Sequence, residues 1–229
     1  MKTIKINITI ALISLLWACS SDDDSGNIRL EYPEVFETLY LNETEVSPTV
    51  LDWQGEIGTL SISSTTEILN RPVVFFDEDT GVISWGNRLP LGAFPFVIEA
   101  KNSTSTARFE IIIENKFEEG LFEGGFLEDT SDEPDFSMIS QEYFLTFLDD
   151  GTFTMQNFDM PDLSFEGEWI IDGSRVIATR IDDMAANDFI MVGYISVGNS
   201  PGFSGRYGSS LNDQDEIQDF EGIFRFDLD

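Results

Sequence analysis

Ser164-Phe165-Glu166-Gly167-Glu168-Trp169-Ile170-Ile171 and Ser174-Arg175-Val176-Ile177-Ala178-Thr179, joined by Asp172-Gly173, carry the fold of the C-terminal half. Asp-Gly between two apolar runs is among the strongest short hairpin signals, because the tight turn calls for positive φ at its central residues. Upstream, Tyr143 to Phe147 passes through Leu148-Asp149-Asp150-Gly151 into Thr152 to Met155, a second hairpin. Gly120 to Phe126 opens the region, and Asp129 to Asp135 reads as an acidic loop. Downstream, Phe189 to Val197, Gly202 to Tyr207 and Phe220 to Leu228 supply further strands. Residues 116–229 therefore read as an antiparallel up-and-down β-meander, and seven or eight such strands curl into a barrel or a strongly bent sheet.

Residues 28–115 alternate differently. Ile28 to Tyr32 opens the unit, and Gly58 to Ser63 is a clean period-two run. Val73 to Phe76 ends in the turn Asp77 to Gly81, after which Val82 to Trp85 resumes the strand. Leu89 to Gly92 turns again into Ala93 to Ala100. A hairpin at Lys101 to Ser105 then leads to Thr106 to Glu114. Short strands with turns every ten or so residues indicate a β-sandwich. No helical periodicity persists, and Met184 to Asp188 is the one candidate helical turn. The fold class is all-β, with a domain boundary near Asn115-Lys116.

Two resemblances bear on these halves. Asp79-Thr80-Gly81-Val82-Ile83-Ser84, Leu89-Pro90-Leu91-Gly92-Ala93-Phe94 and Glu99-Ala100-Lys101-Asn102-Ser103 resemble the Ig-like and cadherin-like repeats of bacterial surface proteins. Those modules serve as spacers, carbohydrate binders and adhesive units, so the likeness implies a fold more than a function. The Gly-Glu-Trp strand with its Asp-Gly turn is similar to lipocalin-like and related small barrels of secreted bacterial proteins.

The first 18 residues have another logic. Met1 to Lys5 carries two positive charges, and Ile6 to Trp17 is apolar apart from Asn7, Thr9 and Ser14. This is the pattern of a secretory signal, too short for a stable span. Leu16, Trp17 and Ala18 before Cys19 resemble the lipobox of bacterial lipoproteins. That resemblance implies cleavage before Cys19 and a diacylglyceryl group on its sulfur, with fatty acyl (palmitate-type) chains holding the protein to the membrane. Lipid transfer to the side chain requires a thiolate nucleophile, and two or more chains make a stable anchor. Ser20, Ser21, Asp22, Asp23 and Asp24 resemble the acidic export tag of surface-displayed lipoproteins in one group of Gram-negative bacteria. Residues 19–27 also read as a solvated tether, since like charges repel and nothing there is apolar enough to bury.

Composition narrows the function classes. Removing residues 1–18 takes two lysines and no acid from 12 basic and 43 acidic residues, leaving a net charge of about −33. Nucleic acid is excluded as a partner, because a phosphate backbone demands clustered Lys and Arg. An anionic membrane surface is likewise repelled, so the lipid on Cys19 must do the holding. Histidine is absent and Cys19 is the only cysteine, which removes His-dependent triads, most transition-metal sites and disulfides. Two-carboxylate glycoside hydrolysis needs no histidine, yet no particular pair stands out among the acids. An enzyme is not expected.

Acidic turns offer oxygen ligands of the kind calcium takes: Asp77 and Asp79 in one, Asp213, Asp215 and Asp219 in another. None follows the twelve-residue EF-hand pattern, and solvated loops are the plainer reading. Calcium is therefore a candidate cofactor only. Trp53, Trp85, Trp169, Tyr194 and Tyr207 are rings able to stack on sugars. Trp85 and Trp169 lie in strongly strand-like runs that favour burial. Trp53, between Asp52 and Gln54 near Gly55, is the better exposed candidate for ligand stacking, and Tyr207, flanked by Gly205, Arg206 and Gly208, is the next. The expectation is a lipid-anchored, non-catalytic outer-membrane lipoprotein facing outward, capturing glycan beside an outer-membrane transporter. The alternative is an adhesive or structural surface protein with calcium-binding loops.

Overall fold

The computed structural model describes residues 27–180 and 189–229. The lipobox, Cys19, the acidic run after it and the candidate turn at Met184 to Asp188 lie outside the described residues. The described strands are β1 (Arg29–Glu31), β2 (Val35–Leu39), β3 (Thr44–Val46), β4 (Val50–Asp52), β5 (Thr59–Ser64), β6 (Val74–Phe76), β7 (Ile83–Trp85), β8 (Gly92–Lys101) and β9 (Thr106–Lys116). There follow β10 (Gly120–Leu127), β11 (Tyr143–Phe147), β12 (Thr152–Asn157), β13 (Ser164–Asp172), β14 (Arg175–Arg180), β15 (Ile190–Ser196), β16 (Gly202–Gly208) and β17 (Phe220–Leu228). Single 3₁₀ turns occupy Glu67–Asn70 and Phe136–Met138. The protein is all-β.

In the N-terminal half a four-stranded sheet, β2-β9-β8-β5, and a three-stranded sheet, β3-β7-β6, share one core; β1 and β4 form a separate pair. Leu60, Phe96, Ile98, Ile111 and Ile113 from the larger sheet meet Val46, Val74, Ile83 and Trp85 from the smaller. The alternation read in residues 58–64, 92–101 and 106–116 is this inward face. Strands β2, β3 and β4 escape that reading because they are short and mixed in character. Val35 and Leu39 of β2 are 49% and 45% exposed, so the strand carries no clean buried stripe. Its place is set by parallel pairing with the distant β9, Val35 opposite Ile112, which local pattern cannot reveal.

The C-terminal half is a closed barrel of eight antiparallel strands, β10 through β17 in chain order, with β17 returning to β10. An eight-stranded barrel is just wide enough for its own side chains to fill. Phe122, Phe147, Phe153, Phe203, Phe224 and Phe226 do so, each fully buried, in edge-to-face contacts such as Phe147 on Phe203 at 5.4 Å and tilted ones such as Phe203 on Phe224 at 4.6 Å. Glycines make room for these rings. A Cβ on Gly167 would stand 2.2 Å from the Phe153 ring, and one on Gly193 would stand 2.3 Å from the Ser204 carbonyl oxygen and 2.7 Å from the Phe224 ring.

The β13–β14 hairpin differs in one detail from its sequence reading. Asp172 pairs with Arg175, so the turn residues are Gly173 and Ser174 rather than Asp172 and Gly173. Only Gly173, at φ +59°, is left-handed, as a turn with glycine at its first central position requires.

Phe117 lies between β9 and β10 and enters the near mouth of the barrel, packing on Phe122, Phe147 and Trp169. Tyr40 and Leu91 from the N-terminal half join the same cluster. The Tyr40 hydroxyl donates to the Ser196 carbonyl at 2.7 Å, and Arg88 donates to the Asn199 side chain. Buried Asn115 donates to the Leu89 and Pro90 carbonyls at 2.8 and 3.1 Å, fixing the end of β9 just before this junction.

Candidate functional site

With its lumen occupied by rings, the barrel offers its outer wall. Strand parity decides which residues stand there: Phe203, Gly205 and Tyr207 of β16 point inward, so Ser204 and Arg206 point out. Register carries the same face across four neighbouring strands. Arg175 pairs with Tyr194, Tyr194 with Ser204, and Ser204 with Arg225, making one row from β14 to β17. The adjacent row reads Ile177, Val192, Arg206 and Ile223. Strands about 4.8 Å apart place the ends of each row roughly 14 Å apart.

Two distant segments fold over this wall. The β10–β11 connection brings Phe136, and the β16–β17 connection brings Glu216 and Ile217. Ile177 and Ile223 on this wall are 8% and 0% exposed. Between the two segments lies an open groove of about 540 Å³, lined by Tyr194, Phe220, Arg175, Arg206, Val192 and Glu216 among others. Smaller depressions continue from it past Phe136 toward Arg225 and Asp227. Tyr194 is 58% exposed. Arg206 lies 4.7 Å over the Phe220 ring, which orients its guanidinium by cation–π attraction. Arg175 donates to the Asp215 carbonyl at 2.5 Å, pinning the β16–β17 connection where Asp215 turns at φ +60°. Glu216 accepts from Asn212 at 3.2 Å. The result is an exposed ring and two guanidinium groups on one face, among apolar Val192, Ile217 and Phe220 and polar Ser204 and Glu216.

The residues singled out from the sequence fall elsewhere. Tyr207 is a correction: it is 8% exposed and faces the lumen, with its ring 5.2 Å from Phe126 and 5.7 Å from Phe189. Burial pushes its phenol pKa up, and Glu128 and Glu221 add to the shift. The glycines flanking it lie in β16, whose parity turns Tyr207 inward. Trp53 is half-buried against the N-terminal core, and the Asp52 carboxylate beside it caps the Gln54 amide at 3.1 Å. Trp85 and Trp169 are buried. Tyr194, one ring among five in the sequence, is the one the barrel displays.

The acidic turns are likewise engaged locally. Asp77 accepts from the amides of Asp79 at 2.9 Å and Thr80 at 3.2 Å, and these bonds hold its carboxyl below the usual range. Asp219 accepts from the Ser210 hydroxyl at 2.6 Å, while Asp215 contributes its carbonyl to Arg175. Among the described residues no group of three or more side chains able to hold a metal ion converges. No protein-family model matches the chain, and no curated protein matches it either.

Proposed function

We propose that this protein is a lipid-anchored, outward-facing lipoprotein of a Gram-negative outer membrane that binds glycan without catalysing a reaction, serving beside an outer-membrane transporter. Cys19 would carry the lipid and residues 19–27 the tether, with the N-terminal sandwich holding the barrel away from the membrane. The observation that supports glycan capture is Tyr194, exposed in a groove that also presents the hydrogen-bonding side chains of Arg175, Ser204, Arg206 and Glu216. Sugars present C–H faces to aromatic rings and hydroxyls to polar neighbours. Strands make a rigid platform for such contacts.

Two measurements test the reading. A glycan array probed with the detergent-solubilised full chain should give binding that Tyr194→Ala weakens at least tenfold while circular dichroism stays unchanged. Binding unaffected by Tyr194→Ala overturns the placement in this groove. Mass spectrometry of native material should show residues 1–18 removed and an acylated Cys19; an unmodified thiol overturns the anchor.

A further inference from the structure

We infer that the outer-wall groove takes an anionic saccharide, with Arg175 and Arg206 receiving its acidic groups and Tyr194 stacking on a ring between them. This rests on the glycan-binding reading and adds the charge class of the ligand.

The argument begins with charge. In a chain with 43 acidic and 12 basic residues, a lysine or arginine at the surface meets a carboxylate easily. Arg29, Arg108, Lys116 and Arg225 do, at 2.5–3.4 Å. Arg71, Arg88, Lys101, Arg175 and Arg206 have no carboxylate within 4 Å among the described residues, and of these Arg175 and Arg206 share one groove. Two acids beside the groove and its continuation are otherwise occupied. Glu216 is turned to Asn212, and Asp227 is paired with Arg225 at 2.9 Å.

Geometry then matters. Arg175 uses one donor on the Asp215 carbonyl, and a guanidinium has five. Arg206 is exposed and is aimed by the Phe220 ring beneath it. Planar, pre-oriented guanidinium groups match carboxylate and sulfate oxygens in pairs, which gives these contacts direction as well as charge. The arginines occupy neighbouring rows on β14 and β16, with Tyr194 on the strand between them. A sugar ring on Tyr194 therefore has a cation to either side. The chain's overall negative charge repels an anion at long range, so recognition depends on these two groups at contact and is weakened by salt.

The test uses three probes against the detergent-solubilised full chain: an oligogalacturonate, its fully methyl-esterified form, and a sulfated galactan oligomer. Esterification removes the charge and leaves the backbone intact. At least one charged probe should bind tenfold or more tighter than the ester, and which one does separates carboxylate from sulfate. Arg206→Gln and Arg175→Lys should narrow that gap, the first by about tenfold and the second by less. Tyr194→Ala should weaken all three probes together. Equal binding of charged and esterified probes, still sensitive to Tyr194→Ala, overturns the anion assignment and leaves glycan binding standing. A charge preference that survives Arg206→Gln also overturns it. Failure of all three probes to bind overturns both.

Discussion

Phe117 meets Trp169 edge-on, ring centroids 5.5 Å apart and planes 67° from parallel, and this contact ties the segment after β9 to the barrel floor. The Trp169 indole N–H is itself held by the carbonyls of Leu148 at 3.1 Å and Thr152 at 2.9 Å. One aromatic pair thus links the junction of the halves to the β11–β12 turn. Tyr40 completes the seam from the N-terminal half, its ring 5.4 Å from Phe117.

Phe117→Ala removes a 5% exposed ring from this seam. Loss of a buried phenylalanine costs about 3–5 kcal/mol, from transfer and cavity terms together. Denaturant unfolding followed by tryptophan fluorescence should show a lower midpoint of that size for the barrel transition. A change under about 1 kcal/mol would mean that the ring is not a structural plug, since that is the scale of ordinary surface substitutions.

Gly193→Ala should be more damaging than its single methyl suggests. The added Cβ would lie 2.3 Å from the Ser204 backbone oxygen, which cannot rotate away as a side-chain tip can. Strands β15 and β16 must separate or shift register, at a cost of about 1–3 kcal/mol. A thermal melt of the variant beside Ile170→Ala, whose side chain is 65% exposed and points out, provides the comparison. The outward change should move Tm little.

Alkaline pH should loosen both halves. Burial pushes the hydroxyls of Tyr32 and Tyr40 up to about 12 from an ordinary 10.0, and each donates to a backbone carbonyl, Gly81 at 2.5 Å and Ser196 at 2.7 Å. A folded pKa above the unfolded one gives stability that is complete below 10.0 and lost as pH rises toward 12. Tm measured across that range should fall. The double variant Tyr32→Phe, Tyr40→Phe should start lower and fall less.

Acid acts through a different set. The Thr152 hydroxyl and then its amide hold the Asp150 carboxyl below its ordinary 3.8, at 2.6 and 3.0 Å. A depressed folded pKa contributes stability above the unfolded value that is lost as pH falls through the folded one. Asp150→Asn should therefore flatten the acid limb of the Tm profile below about pH 4. The group is fully exposed, so the change should be small. An unchanged acid limb would show that this turn does not depend on the charge.

How much of this was legible along the chain depends on the distance each feature spans. The hairpins at Tyr143 to Met155 and Ser164 to Thr179, the strands after them and the all-β class are written in local alternation and turn residues, because a strand's parity and a tight turn's φ are decided within a few residues. Closure of β17 on β10, the parallel seat of β2 on β9 and the entry of Phe117 into the barrel mouth depend on partners far apart in sequence. Tyr207 and Tyr194 show the difference most directly. Both lie in strand-like runs beside glycines, and the chain alone does not say which parity faces the lumen. Only the closed sheet, with the two connections folded over its outer wall, turned Tyr207 into core and left Tyr194 exposed between Arg175 and Arg206, because inside and outside exist only once the strands have met.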